Sequence, residues 1–174
     1  MSIERSEPNA SKFNENLPLP YDLRLADFRL AMQDVYDFFH DVNGYLAEKG
    51  LDRLDEMLRP AAMSGILSAT LTASLARHAR ALTVNQWHNG HPDLVRKNQH
   101  PDNAVESGNE GVEVKSTRNV GGAVDTHGAR NQWMCVFVYS VDNETEPARD
   151  RKPNEIHRRI PREGRRCRLP LEFA

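Results

Sequence analysis

The run Met134-Cys135-Val136-Phe137-Val138-Tyr139-Ser140-Val141 carries apolar side chains at both odd and even positions. Successive side chains of a strand point to opposite faces. A strand of this composition is therefore buried on both faces and belongs in the middle of a sheet. Three shorter stretches are candidates for its neighbours. Gly111-Val112-Glu113-Val114-Lys115-Ser116-Thr117 alternates with period two, and Leu82-Thr83-Val84 and Asp93-Leu94-Val95 flank a turn at Asn89-Gly90.

The first half of the chain has a different period. Leu25, Phe28, Met32, Val35, Phe39, Val42 and Leu46 recur at steps of three and four, which predicts a helix over residues 21–49 stopped by Gly50. The stripe is expected to pack within the chain, the alternative being a homodimer through the Leu25–Leu46 helix. A short helix over 51–58 ends near Pro60, and a second long one covers 61–82, rich in Ala, Ser and Thr. Helices followed by strands give an α/β (α+β) order. The expected organisation is a loose arm over 1–20, a helical extension over 21–58, a core over 59–141 and a basic tail over 142–174. The tail holds nine Lys or Arg between Arg149 and Arg168 and little apolar periodicity. It reads as solvated, or as the altered end of a longer domain.

Composition narrows the function. The stretch 61–82 is interrupted by Ser64, Ser68, Arg77 and Arg80, so it is rejected as a bilayer span. The N-terminus lacks a basic region followed by an apolar run. The two cysteines, Cys135 and Cys167, form no CxxC pair, which points to a reducing, cytoplasmic compartment. Residues 1–58 hold twelve acids and six bases, whereas residues 59–174 hold thirteen acids and seventeen bases. Between Arg59 and Gln99 the single acid is Asp93. An anionic partner such as nucleic acid would favour this later region.

The residues that carry chemistry are Asp93 and, after nineteen intervening residues, Glu113-Val114-Lys115. On a strand Glu113 and Lys115 project to one open face about 7 Å apart, while Val112 and Val114 turn to the core. An Asp from a neighbouring strand joins Glu113 in an oxygen pocket suited to a hard cation such as Mg²⁺. Lys115 would orient the attacking water and stabilise developing negative charge. His88, His91, His100 and His127 match no familiar zinc spacing. His91 is read as a substrate contact or as a turn-fixing residue.

Pro92-Asp93 followed by Glu113-x-Lys115, in the contexts Asn89-Gly90-His91-Pro92-Asp93-Leu94-Val95 and Glu110-Gly111-Val112-Glu113-Val114-Lys115-Ser116-Thr117, resembles the PD-(D/E)XK nuclease superfamily and its restriction-endonuclease-like members. The resemblance covers roughly residues 61–141. It implies a restriction-endonuclease-like core built on a mixed central sheet, with Asp93, Glu113 and Lys115 as catalytic residues, and Mg²⁺ (with Mn²⁺ as substitute) held by Asp93, Glu113 and the backbone carbonyl of Val114. The implied activity is endonucleolytic hydrolysis of DNA. Lys97, Arg118, Arg130, Asn131 and Gln132 are the candidate DNA contacts, the last three on a glycine-rich joining segment. One departure is that many relatives place a further Glu on the helix before the Asp strand, and the stretch 61–82 has no acid. Glu48, Asp55 or Glu56 would have to substitute, and a one-metal site stays open. The competing expectation is a non-catalytic DNA-binding or self-assembling protein with a degenerate nuclease fold.

Overall fold

A computed structural model describes residues 5–9, 13, 18–118, 132–142, 144–146, 150–152 and 154–159. Three helices precede five strands: α1 (Leu25–Glu48), α2 (Leu54–Met57), α3 (Pro60–His78), β1 (Leu82–Val84), β2 (Leu94–Arg96), β3 (Val112–Thr117), β4 (Trp133–Ser140) and β5 (Glu155–Arg159). The strands form one mixed sheet in the order β1-β2-β3-β4-β5, with β3 and β4 parallel and the other neighbours antiparallel. The fold is thus mixed α and β, as the two periods of the sequence imply.

Local chemistry sets the helix ends. α1 starts later than its apolar pattern suggests because Tyr21 and Asp22 have φ of 54° and 56°, left-handed values that interrupt a helix. Asp27 accepts the Arg24 N–H at 2.8 Å and satisfies one orphan donor of the first turn. At the other end Gly50, with φ 71°, lets the chain reverse while its N–H donates to the Ala47 carbonyl at 3.0 Å. α3 opens on Pro60, whose missing N–H costs nothing there. It ends at His78, four residues before the expected limit, because residues 79–81 lead directly into β1.

The apolar stripe of α1 packs inside the chain. Phe28, Met32, Val35 and Phe39 are buried in one cluster with Met63, Leu67, Leu71 and Leu75 of α3. The same cluster takes Leu82, Leu94, Val112, Val114, Cys135, Phe137 and Tyr139 from one face of the sheet. The alternate residues Val95, Met134, Val136 and Val138 are buried on the other face. β4 is therefore a central strand covered on both sides, as its composition requires.

Two expectations change. The sheet does not end at β4: residues 155–159, read as part of a solvated tail, form β5 and pair with β4 from Val136↔Arg159 to Ser140↔Glu155. The anchor is long-range. The Tyr36 hydroxyl of α1 accepts the Ile156 N–H at 2.7 Å and donates to the Ile156 carbonyl at 3.2 Å. That burial pushes the Tyr36 phenol up to about 12. The described part of the N-terminal arm is also held. Arg5 pairs with Asp37 at 3.4 Å, and Phe13 and Leu19 pack against the core cluster. Among the described residues no helix is long and apolar enough to cross a membrane.

Candidate active site

Asp93 stands immediately before β2. Leu94 pairs antiparallel with Val112, so continuing that register by one residue sets Asp93 beside Glu113 on the face away from the helices. Directly opposed residues of antiparallel strands have Cβ atoms roughly 4.5–5.5 Å apart. The pairing is tight because Gly111 has no side chain. A Cβ there would lie 2.1 Å from the Leu94 carbonyl oxygen and 2.4 Å from Pro92 Cγ.

Asp93 Oδ2 accepts the Val114 N–H at 2.7 Å, so the side chain of one strand takes the place of a ladder bond on the other. Within an extended strand a residue's N–H and C=O point to the same side. The Val114 carbonyl is therefore directed toward Asp93 as well. Burial, and then the adjacent Glu113 carboxylate, push the Asp93 carboxyl above its usual range. The Val114 N–H and the charges of Lys115 and His91 act in the opposite direction without cancelling the effect.

Glu113 is 1% exposed, a correction to the expectation of an open face. The physical reason is that its neighbours on that face, Val95, Met134 and Val136, are themselves buried. A buried carboxylate needs partners, and Glu113 has two. Lys115 Nζ lies 2.8 Å from Oε1, and His91 Nδ1 lies 3.3 Å from Oε1 and 3.4 Å from Oε2. Lys115 and Glu113 share the face that the period-two alternation assigned them.

His91 is carried by a braced loop, and the residue responsible, Asn85, was not singled out from sequence. Its side-chain amide donates to the Pro92 carbonyl at 3.0 Å and the Val105 carbonyl at 2.8 Å. Its side-chain oxygen accepts the N–H groups of Trp87 and Val105, both at 3.0 Å. The sequence signal for His91 was only its place two residues before Asp93. Asn85 gave no signal, since its role depends on joining Trp87 and Pro92 of its own loop to Val105, twenty residues away.

The other candidates are dispersed. Lys97 Nζ donates to the Ala79 and Arg80 carbonyls at 3.0 and 2.9 Å, capping the chain where it leaves α3. Arg118 donates to the Val141 carbonyl at 3.2 Å. Gln132 is buried, and its side-chain oxygen has no hydrogen-bond partner among the described residues. Arg130 and Asn131, with the rest of the segment 119–131, lie outside the described residues, as do residues 160–174. Of the acids proposed as substitutes for a helix Glu, Asp55 is buried against Asn43 at 2.9 Å and Arg53 at 3.0 Å, and Glu56 pairs with Arg53 and Arg151 at 3.3 Å. Both belong to a network joining α1 and α2 to the segment before β5.

Among the described residues no three His, Cys, Asp or Glu side chains converge to form a metal cluster. The donor set is instead two adjacent carboxylates, with the Val114 carbonyl on the edge of β3 whose N–H meets Asp93. Such all-oxygen donors fit a hard divalent cation that keeps several water or phosphate ligands. Compared with family models, curated proteins and solved structures, the chain matches none.

Proposed function

We propose that this chain is a metal-dependent endodeoxyribonuclease of the PD-(D/E)XK type, with restriction-endonuclease-like organisation. The observation that carries the reading is the adjacency of two largely buried acids, Asp93 and Glu113, with the Lys115 ammonium 2.8 Å from one of them. Like charges brought together out of water oppose one another. An arrangement that raises the Asp93 carboxyl is most simply explained by a cation that relieves it. The order of elements supports the same reading: α3, then Asp93 at the start of β2, then Glu113-Val114-Lys115 on β3, then the parallel strand β4.

In this reading Asp93, Glu113 and the Val114 carbonyl hold Mg²⁺ or Mn²⁺. When bound, the ion neutralises charge at the scissile phosphate and acidifies a coordinated water. Lys115 donates to that water or to the phosphate oxygens and stabilises the negative charge that develops there. His91, whose Nδ1 lies 3.3 Å from the same Oε1 that Lys115 meets, helps to keep the Glu113 carboxylate in place. The buried strands behind the pair exclude bulk water and strengthen each of these interactions.

The test is nicking of supercoiled plasmid in Mg²⁺, with EDTA as control. Asp93→Ala and Lys115→Ala are expected to lose cleavage by at least about a hundredfold while retaining DNA binding. Cleavage by Asp93→Ala at the parent rate would overturn the assignment. Salt-sensitive DNA binding without any EDTA-sensitive cleavage by the parent would mark the chain as a non-catalytic DNA-binding protein.

A further inference from the structure

Trp87 is 49% exposed, and a single exposed aromatic ring needs no explanation by itself. Its mounting is what distinguishes it. The Trp87 N–H donates to Asn85 Oδ1 at 3.0 Å, and its carbonyl accepts the Gly90 N–H at 2.9 Å. The flanking backbone is pinned on both sides, by Gln86 N–H to the Asn103 carbonyl at 3.1 Å and by His91 N–H to the Glu106 carbonyl at 3.1 Å. The root of the indole lies against Gly90. A Cβ placed on that glycine would be 2.9 Å from Trp87 Cβ, 2.6 Å from Asn85 Nδ2 and 2.4 Å from the Val105 carbonyl oxygen. The next residue is His91, whose imidazole contacts Glu113. A half-exposed indole is thus held on a braced loop, four residues before His91 of the candidate catalytic cluster and with its root against Gly90, which adjoins that histidine.

From Asn85 to Pro92 this loop contains no acid. It therefore offers an anionic strand no repulsion of its own, although the exposed Glu106 follows on the facing loop. A flat indole beside a phosphate-cleaving site matches one ligand surface above all, the π face of a nucleobase. Bases inside a duplex have both faces covered by their neighbours, so the face is available only where a base is unpaired or unstacked.

We infer that Trp87 is a stacking platform for an unpaired base next to the scissile phosphate, which makes the preferred substrate a strand with a single-stranded segment rather than uniform duplex. This rests on the nuclease reading above and adds the substrate class. Trp87 is a binding residue in it and takes no part in the chemical step.

The experiment measures binding in EDTA at low salt, where no cleavage occurs. A labelled single-stranded 12-mer and the duplex of the same sequence are titrated by anisotropy. Trp87→Ala is expected to weaken the single strand about tenfold and the duplex less than twofold, with Trp87→Phe retaining most of the affinity. In Trp133→Phe, which leaves Trp87 as the sole indole, the single strand is expected to quench the emission. The anisotropy comparison stands alone should that variant fold poorly. Equal single-strand affinity for Trp87→Ala and the parent, or unchanged Trp87 emission on saturation, overturns the stacking role and leaves the nuclease reading intact. Failure of both oligonucleotides to bind, together with an uncut plasmid, overturns both.

Discussion

Alanine at position 111 would push β2 and β3 apart at the point where they bring the two acids together. Gly111 has φ 141°, a value that L side chains rarely adopt. The added methyl would sit 2.1 Å from the Leu94 carbonyl oxygen, where ordinary contact begins at 3.4 Å. The shortfall is 3.4 minus 2.1, or 1.3 Å, and the obstacle is backbone that no side-chain rotation removes. Holding a residue in a sparsely populated backbone region costs about 1–3 kcal/mol. Forcing an extra methyl into a packed site costs a further 1–3 kcal/mol or so. A loss of about 4 kcal/mol is the central expectation, equivalent to a fall in Tm of roughly 8–16 °C for a chain of this size. Urea unfolding of parent and Gly111→Ala, fitted with a shared slope, measures it. Gly44→Ala is the matched control. Gly44 lies inside α1 with nothing within 4 Å of its would-be Cβ, so alanine there should stabilise by up to about 1 kcal/mol. A Gly111→Ala protein within 1 kcal/mol or so of the parent would refute the close-approach argument, as would a stabilising effect of the same sign in both variants.

Two further outcomes test the site and its support. If the acid pair holds a divalent ion, Mg²⁺ or Mn²⁺ at about ten times its dissociation constant should stabilise the parent by roughly 1.4 kcal/mol, or about 3–6 °C in Tm. Thermal melts of Glu113→Gln should show no such shift, and an equal shift in that variant would remove the ion from this site. Asp34 on α1 accepts from Ser74, His78 and Arg77 of α3. Burial raises its carboxyl, but these donors together outweigh burial and hold it below the usual range. A depressed carboxyl stabilises the fold above its unfolded pKa and ceases to do so as pH falls through its folded value. Asp34→Asn should therefore cost about 1 kcal/mol at neutral pH, with the difference from the parent vanishing in strong acid. A difference independent of pH would refute the ionic account.

The contrast between Gly111 and Gly44 shows how far sequence reading reaches. Both are isolated glycines inside a periodic pattern, and only the approach of a strand distant in sequence gives them opposite expected signs. Asp93 and Glu113 were singled out from their spacing and from the alternation along β3. The burial of Glu113 was not, because its cover comes from Val95, Met134 and Val136 on two other strands. β5 escaped notice because its pairing partner β4 and its anchor Tyr36 lie elsewhere in the chain, and an edge strand with two adjacent arginines has little apolar period. The ammonium of Lys97, a candidate DNA contact, rests on the carbonyls that follow α3, a contact that no local pattern announces.

What the chain alone determined is therefore local: one long helix from an apolar stripe and a second from a stretch rich in Ala, Ser and Thr, a central strand from a run apolar on both faces, and Glu113 and Lys115 on one side of a strand from period two. These follow from backbone geometry, which each residue shares with its immediate neighbours. Tertiary structure alone decided that the α1 stripe is covered by α3, that Asp93 stands across from Glu113, and which cations are already engaged. Those outcomes depend on contacts between residues tens of positions apart, and the competition among such contacts leaves no periodic trace in the sequence.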